Sequence, residues 1–205
     1  MSAVLVVALA SGPAAADRLG VAGTMGVRMP LMDLADPLPW TGRNPPMGAA
    51  RLDVMPGLMV HDAMGWEVEL RGRLSGYAMM WPDESIAPGH RGAVELSVRR
   101  FVPPHDYRTE QGIWEGGYAG GSVAAEVWGR HPLGAPKLAT AHFMLGYLAL
   151  AGDITPSFLE VGYGVWGDGL DGTSGHGPAV RAGAYLAWPW AGEGSIAPKS
   201  PTDRD

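Results

Sequence analysis

The chain has 205 residues, with 31 Gly, 18 Pro, no Cys and a formal charge of −6, a size that suits one domain. The acidic balance and the lack of any basic run argue against a nucleic-acid partner, and no stretch of about 18 apolar residues is present to cross a bilayer as a helix. Charged residues make up only 18% of the chain, too few for a disordered polypeptide. Just two Lys, Lys137 and Lys199, stand against thirteen Arg, so little of the surface is dressed for water.

Residues Ala3 to Ala10 form a short apolar core, followed by Gly12-Pro13 and then Ala14-Ala15-Ala16 before Asp17. That is an A-x-A cleavage pattern, so residues 1–16 read as a signal peptide and the protein as an exported one, although Met1-Ser2 brings no Lys or Arg.

From residue 20 the apolar residues recur with a period of two, the period of a strand with two unlike faces. The first strand spans about 20–31, with Met25, Val27 and Met29 opposite Thr24, Gly26 and Arg28. A Pro-rich loop fills 32–48. The second strand, 49–60, sets Leu52, Val54 and Leu58 against Arg51, Asp53 and Met59. Pro56 lies in its middle and lacks a ladder donor, so a bulge is expected there. A tight turn leads into the third strand, 65–81, whose Trp66–Trp81 stretch alternates over sixteen residues, about 50 Å of strand. Glu67, Glu69, Arg71 and Arg73 share one of its faces, and Trp66, Val68, Leu70 and Leu74 the other.

After a loop at 82–89, a fourth strand at 90–102 opposes Glu95, Ser97 and Arg99 to Val94, Leu96 and Val98. Residues 103–112 connect it to a fifth strand, 113–128, with Tyr118, Ser122 and Glu126 on its polar face. The sixth, 137–150, presents Phe143, Leu145 and Tyr147 against Thr140, His142 and Met144. A turn at Gly152-Asp153 precedes the seventh, 156–166, with Leu159, Val161 and Tyr163 opposite Glu160. A Gly/Asp-rich loop then leads to the eighth, 178–190, where Val180, Leu186 and Trp188 oppose Arg181 and Tyr185. Residues 191–205 form a polar tail. Eight strands with no helical crossover, joined mostly by alternating long loops and tight turns, describe an up-and-down antiparallel barrel.

Alternation alone fits a soluble lipocalin-like ligand-binding barrel as well as a membrane barrel of opposite polarity. Three features favour the membrane. The polar faces carry small residues and Tyr but no Lys. Trp66, Trp188 and Trp190 stand near the rim of the chain ends, where an interfacial aromatic girdle belongs. Finally, Arg28, Arg51, Arg71, Arg73, Arg99 and Arg181 match Asp53, Glu67, Glu69, Glu95, Glu126 and Glu160 in number, as ions enclosed in a narrow interior must be paired. Glu67 and Glu69 are expected near Arg99, and Glu126 near His142, which shares the interior face.

In pattern and topology the chain resembles small outer-membrane β-barrel proteins of the OmpA/OmpX type, over nearly all of residues 17–190. The resemblance implies an eight-stranded transmembrane β-barrel surrounded by outer-membrane lipid in a Gram-negative-type bacterium. That family usually ends its last strand, and often the chain, on an aromatic residue; here Trp188 and Trp190 are followed by the 191–205 tail.

Eight strands enclose just enough room for side chains. The charged interior therefore reads as a closed, salt-bridged filling, with a narrow channel for small solutes as the alternative. An enzyme is disfavoured. Some barrels of this size deacylate lipid A with His, Ser and Glu on the lipid-facing wall, but here that wall is apolar except for Arg100, Glu115 and Lys137 near strand ends, and no His-x-Ser motif occurs. No catalytic residue or cofactor is assigned, and neither a His/Cys cluster nor a DxDxDG calcium loop points to a metal. Loops 32–48 and 167–177 are the places for an extracellular ligand or surface, with Trp40, Asp168, Asp171 and His176 as candidates.

Overall fold

Leu70 and Leu74 point out of their strand while Arg71 and Arg73 point in, and this alternation is repeated in every element of the chain's computed structural model. The structure describes residues 22–33, 47–62, 65–102, 116–130, 138–151, 155–168 and 174–191. The signal-peptide expectation for 1–16 lies outside these residues, as does the expected tail 191–205 except for Ala191, which ends the last strand. The strands are β1 (Ala22–Asp33), β2 (Gly48–His61), β3 (Trp66–Met80), β4 (Ile86–Phe101), β5 (Gly116–Arg130), β6 (Leu138–Ala151), β7 (Thr155–Asp168) and β8 (Ser174–Ala191). Each pairs antiparallel with the next, and β8 returns to β1, so the sheet is a closed barrel. One rim, here the terminal rim, holds Ala22 and Ala191 together with Trp66 and Phe101. The far rim holds Asp33, Met80, Ile86 and Arg130.

Two turns are tied down locally. At the terminal rim the Asp62 carboxylate accepts the Trp66 N–H at 2.9 Å, and Gly65 takes a φ of 83°, a conformation that glycine adopts without strain. At the far rim the Trp81 N–H donates to the Ser85 carbonyl at 3.0 Å. There the Ser85 hydroxyl and N–H donate to Asp83 at 2.6 and 3.1 Å, which holds that carboxyl below its usual range.

The expected bulge at Pro56 is absent. Pairing of β2 with β3 runs to Val54↔Leu74 and resumes at Gly57↔Arg71 in unchanged register, while Pro56 stays opposite Val27 of β1. The missing donor is absorbed by a gap in one ladder, so no inserted residue is needed. The register shifts fall elsewhere: at Gly23/Thr24 and Pro30/Met32 between β1 and β8, and at Gly92/Ala93 between β4 and β5. In the last of these Val127 is the extra residue, since Ala93 faces Glu126 and Gly92 faces Trp128.

β4 and β8 also begin earlier than the hydropathy pattern predicts. Pairing of Met80 with Ile86 draws residues 86–89 into β4, and pairing of Val165 with His176 draws 174–177 into β8. Backbone pairing extends a strand past the point where its side chains stop alternating clearly.

Candidate functional site: the charged interior

Interior side chains stack in layers along the barrel axis. Nearest the terminal rim, Met59, Phe101, Tyr118, Leu148, Phe158 and Tyr185 form a buried apolar cluster. Arginines cap it: the Arg28 guanidinium lies 5.1 Å from the Phe158 ring centroid and 4.8 Å from that of Tyr185, and Arg99 lies 5.5 Å from Tyr118. These are cation–π distances.

Beyond the cluster the ions interlock. Arg99 pairs with Glu67 at 2.6 Å and also with Glu69. Glu69 further receives Arg28 at 3.3 Å and Arg71 at 3.1 Å. Glu160 accepts the Tyr118 hydroxyl at 2.8 Å and lies 3.6 Å from Arg28, 3.8 Å from Arg99 and 3.7 Å from Arg181. Glu95 receives Arg71 at 2.6 Å, Arg181 at 3.1 Å and Arg73 at 3.4 Å. Nearer the far rim, Arg51 pairs with Asp53 at 2.6 Å. Four carboxylates, those of Asp33, Glu69, Glu95 and Glu160, thus each face three guanidiniums.

Two members of this interior lie outside the set expected from the sequence: Asp33, which simple parity does not place inside, and Arg91, which it does. Asp33 turns inward because Leu31 is the extra residue at the Pro30/Met32 shift, and it meets Arg73 and Arg181 at 3.3 Å and Arg51 at 3.7 Å. Arg91, on the same face of β4 as Glu95, is only 2% exposed. One anion and one cation join the predicted set, so its balance is preserved. The apolar cluster was readable in part, because Phe101, Leu148 and Phe158 all have interior parity near strand ends.

Glu126 and His142 lie on neighbouring strands of the same inner wall, with His142 directly opposite Ser122, two inward positions from Glu126. Trp66 stands at the terminal rim with the Arg100 guanidinium 5.3 Å from its ring. Trp188 and Trp190 belong to β8, with Trp188 opposite Met25 in the ladder. Trp40 and Asp171 lie outside the described residues, and Asp168 ends β7. His176, expected in a loop, sits instead on the outer wall of β8, where it hydrogen-bonds the Tyr163 hydroxyl.

The site's capacity is mechanical before it is chemical. The ions and the Tyr118 hydroxyl tie together seven strands, β1 to β5, β7 and β8. An interior void lined by Arg71, Arg99, Tyr118, Met144, Glu160 and Arg181 has a volume of about 10 Å³, room for roughly one water. Among the described residues no group of three His, Cys, Asp or Glu is placed to hold a metal. No family model matches the chain, nor does any curated protein or solved structure.

Proposed function

We propose that this protein is an outer-membrane β-barrel with a closed, salt-bridged interior, and that its far-rim loops are available for binding or adhesion. The observation that carries this reading is the polarity of the wall. Leu52, Phe143 and Leu74 are 69%, 61% and 50% exposed, whereas Glu95 and Arg73 are 0% and 1% exposed. A water-soluble barrel hides its apolar side chains inside; an apolar belt this extensive on the outside calls for lipid.

The height of the belt supports the same reading. On the outer wall, the charged or imidazole side chains among the described residues are Arg100 toward the terminal rim and His90, Arg130 and His176 toward the far rim. Between Arg100 and His90 the outward residues of β4 are Val98, Leu96, Val94 and Gly92. Ten residues of strand cover about 33 Å, and the usual barrel tilt lowers this to about 25 Å, the height of an outer-membrane barrel's apolar band. Each level has its aromatic: Trp66 beside Arg100, and Trp128 with its ring centroid 5.6 Å from that of His90. Tryptophan favours such interfaces because its ring is apolar and its N–H polar.

Among the described residues the interior is occupied by the interlocked ions and the apolar cluster, and the void between them holds only about 10 Å³, which favours the closed barrel over the channel. Heat-modifiable migration in detergent gels and flotation of the full chain with lipid vesicles test membrane insertion. Superimposed boiled and unboiled bands would sink it. In planar bilayers a closed interior gives no steady current, and a reproducible unitary conductance would favour the channel.

A further inference from the structure

Val127 does more than interrupt a ladder. On β5 the even-numbered residues Tyr118, Ser122 and Glu126 face inward, and the same alternation would carry Trp128 and Arg130 inward with them. The extra residue at Val127 reverses the facing: Glu126 stays inside, while Trp128 and Arg130 emerge on the outer wall, exposed. There Arg130 is the register partner of His90, also exposed, and Trp128 is the partner of Gly92. A side chain at Gly92 would collide with the Trp128 indole, so the ring lies close against β4, with its plane tilted 50° to that of His90.

We infer that His90, Trp128 and Arg130 form a binding site on the outer wall for the phosphate head group of an anionic lipid in the far-rim leaflet. This rests on the membrane reading above. A guanidinium at the edge of the apolar belt is costly unless it reaches water or an anion. Among the described residues, the outward positions beside this cluster on β3, β4 and β5 are Leu74, Gly76, Ala78, Pro88, Val94 and Val127, none of them a carboxylate. Arg130 offers a fork that fits two phosphate oxygens, and His90 donates an imidazole N–H in either protonation state. Trp128 supplies the apolar floor beneath the head group. The terminal rim differs, since Arg100 is there the single outward cation of β4 and β5 and stacks on Trp66.

The test uses the full chain in non-ionic detergent containing equal amounts of phosphatidylglycerol and phosphatidylcholine, with retained lipid counted by native mass spectrometry. The protein is expected to retain phosphatidylglycerol in preference. Arg130→Gln should remove most of that preference and the His90→Gln/Arg130→Gln pair all of it, with the heat-modifiable gel shift unchanged. A preference that survives the double substitution, or that inorganic phosphate abolishes, overturns the lipid site. Vesicle flotation keeps the two readings apart. A chain that floats with phosphatidylcholine vesicles but shows no lipid preference loses this site and keeps its membrane assignment; a chain that floats with neither lipid loses both.

Discussion

Asp33 Oδ2 lies 3.3 Å from Arg181 Nε inside the barrel, a contact made possible by one unpaired residue, Leu31, which is 88% exposed on the outer wall. The shift lets Asp33 serve Arg51, Arg73 and Arg181 together. Asp33→Asn should therefore strand buried positive charge and lower the stability by about 3–5 kcal/mol. Pairing it with Arg73→Gln should recover part of that loss, since one surplus charge is removed. Urea titration of the gel-resolved folded fraction measures both; additive losses would show that the two residues are not coupled.

The apolar cluster and the ion layers should fail independently. Phe101 is 3% exposed within the cluster, so Phe101→Ala is expected to cost about 3–5 kcal/mol by leaving a cavity. Because Arg99, Glu67 and Glu69 are untouched, the variant should remain non-conducting in planar bilayers. A steady current from it would place the seal in the cluster.

Position on the outer wall should set the cost of a charge. Leu96 lies between Arg100 and His90 on β4, well away from either rim, whereas Ile86, 67% exposed, starts that strand at the far rim. In vesicles Leu96→Arg should cost about 2–4 kcal/mol and Ile86→Arg about 0–1 kcal/mol. On a soluble barrel both would stay within about 0.5 kcal/mol. Equal, small effects would remove the membrane assignment.

Glycines opposite aromatic rings should be intolerant, and one glycine elsewhere should not. Tyr118 lies across Gly146, Tyr77 across Gly89 and Trp166 across Gly175, each ring occupying the space of the absent Cβ. Gly146→Val would push Tyr118 away from Glu160, with an expected loss of about 1–3 kcal/mol from overpacking. A methyl group on Gly76 would have nothing within 4 Å, so Gly76→Ala should stabilise by about 0.5–1 kcal/mol through its smaller backbone entropy loss. The sign difference between the two is the measurement.

The eight strands and their order were legible in the chain itself, because period-two alternation survives wherever one face meets protein and the other does not. That is why Glu67, Glu69, Arg71 and Arg73 could be assigned to one face of β3 from their spacing, and why Arg99 could be expected beside the two glutamates. Pairing partners further away in sequence were not legible. Glu95 meets Arg181 across 86 residues, and nothing local records that meeting. Parity also holds only while the ladder is regular. Single extra residues at Leu31 and Val127 reversed it, drawing Asp33 into the ion network and turning Trp128 and Arg130 out onto the wall. Sequence thus determined which residue types alternate, since that depends on each strand alone. Closure of the barrel decided which of them face one another, since register and bulges are set by the neighbouring strands.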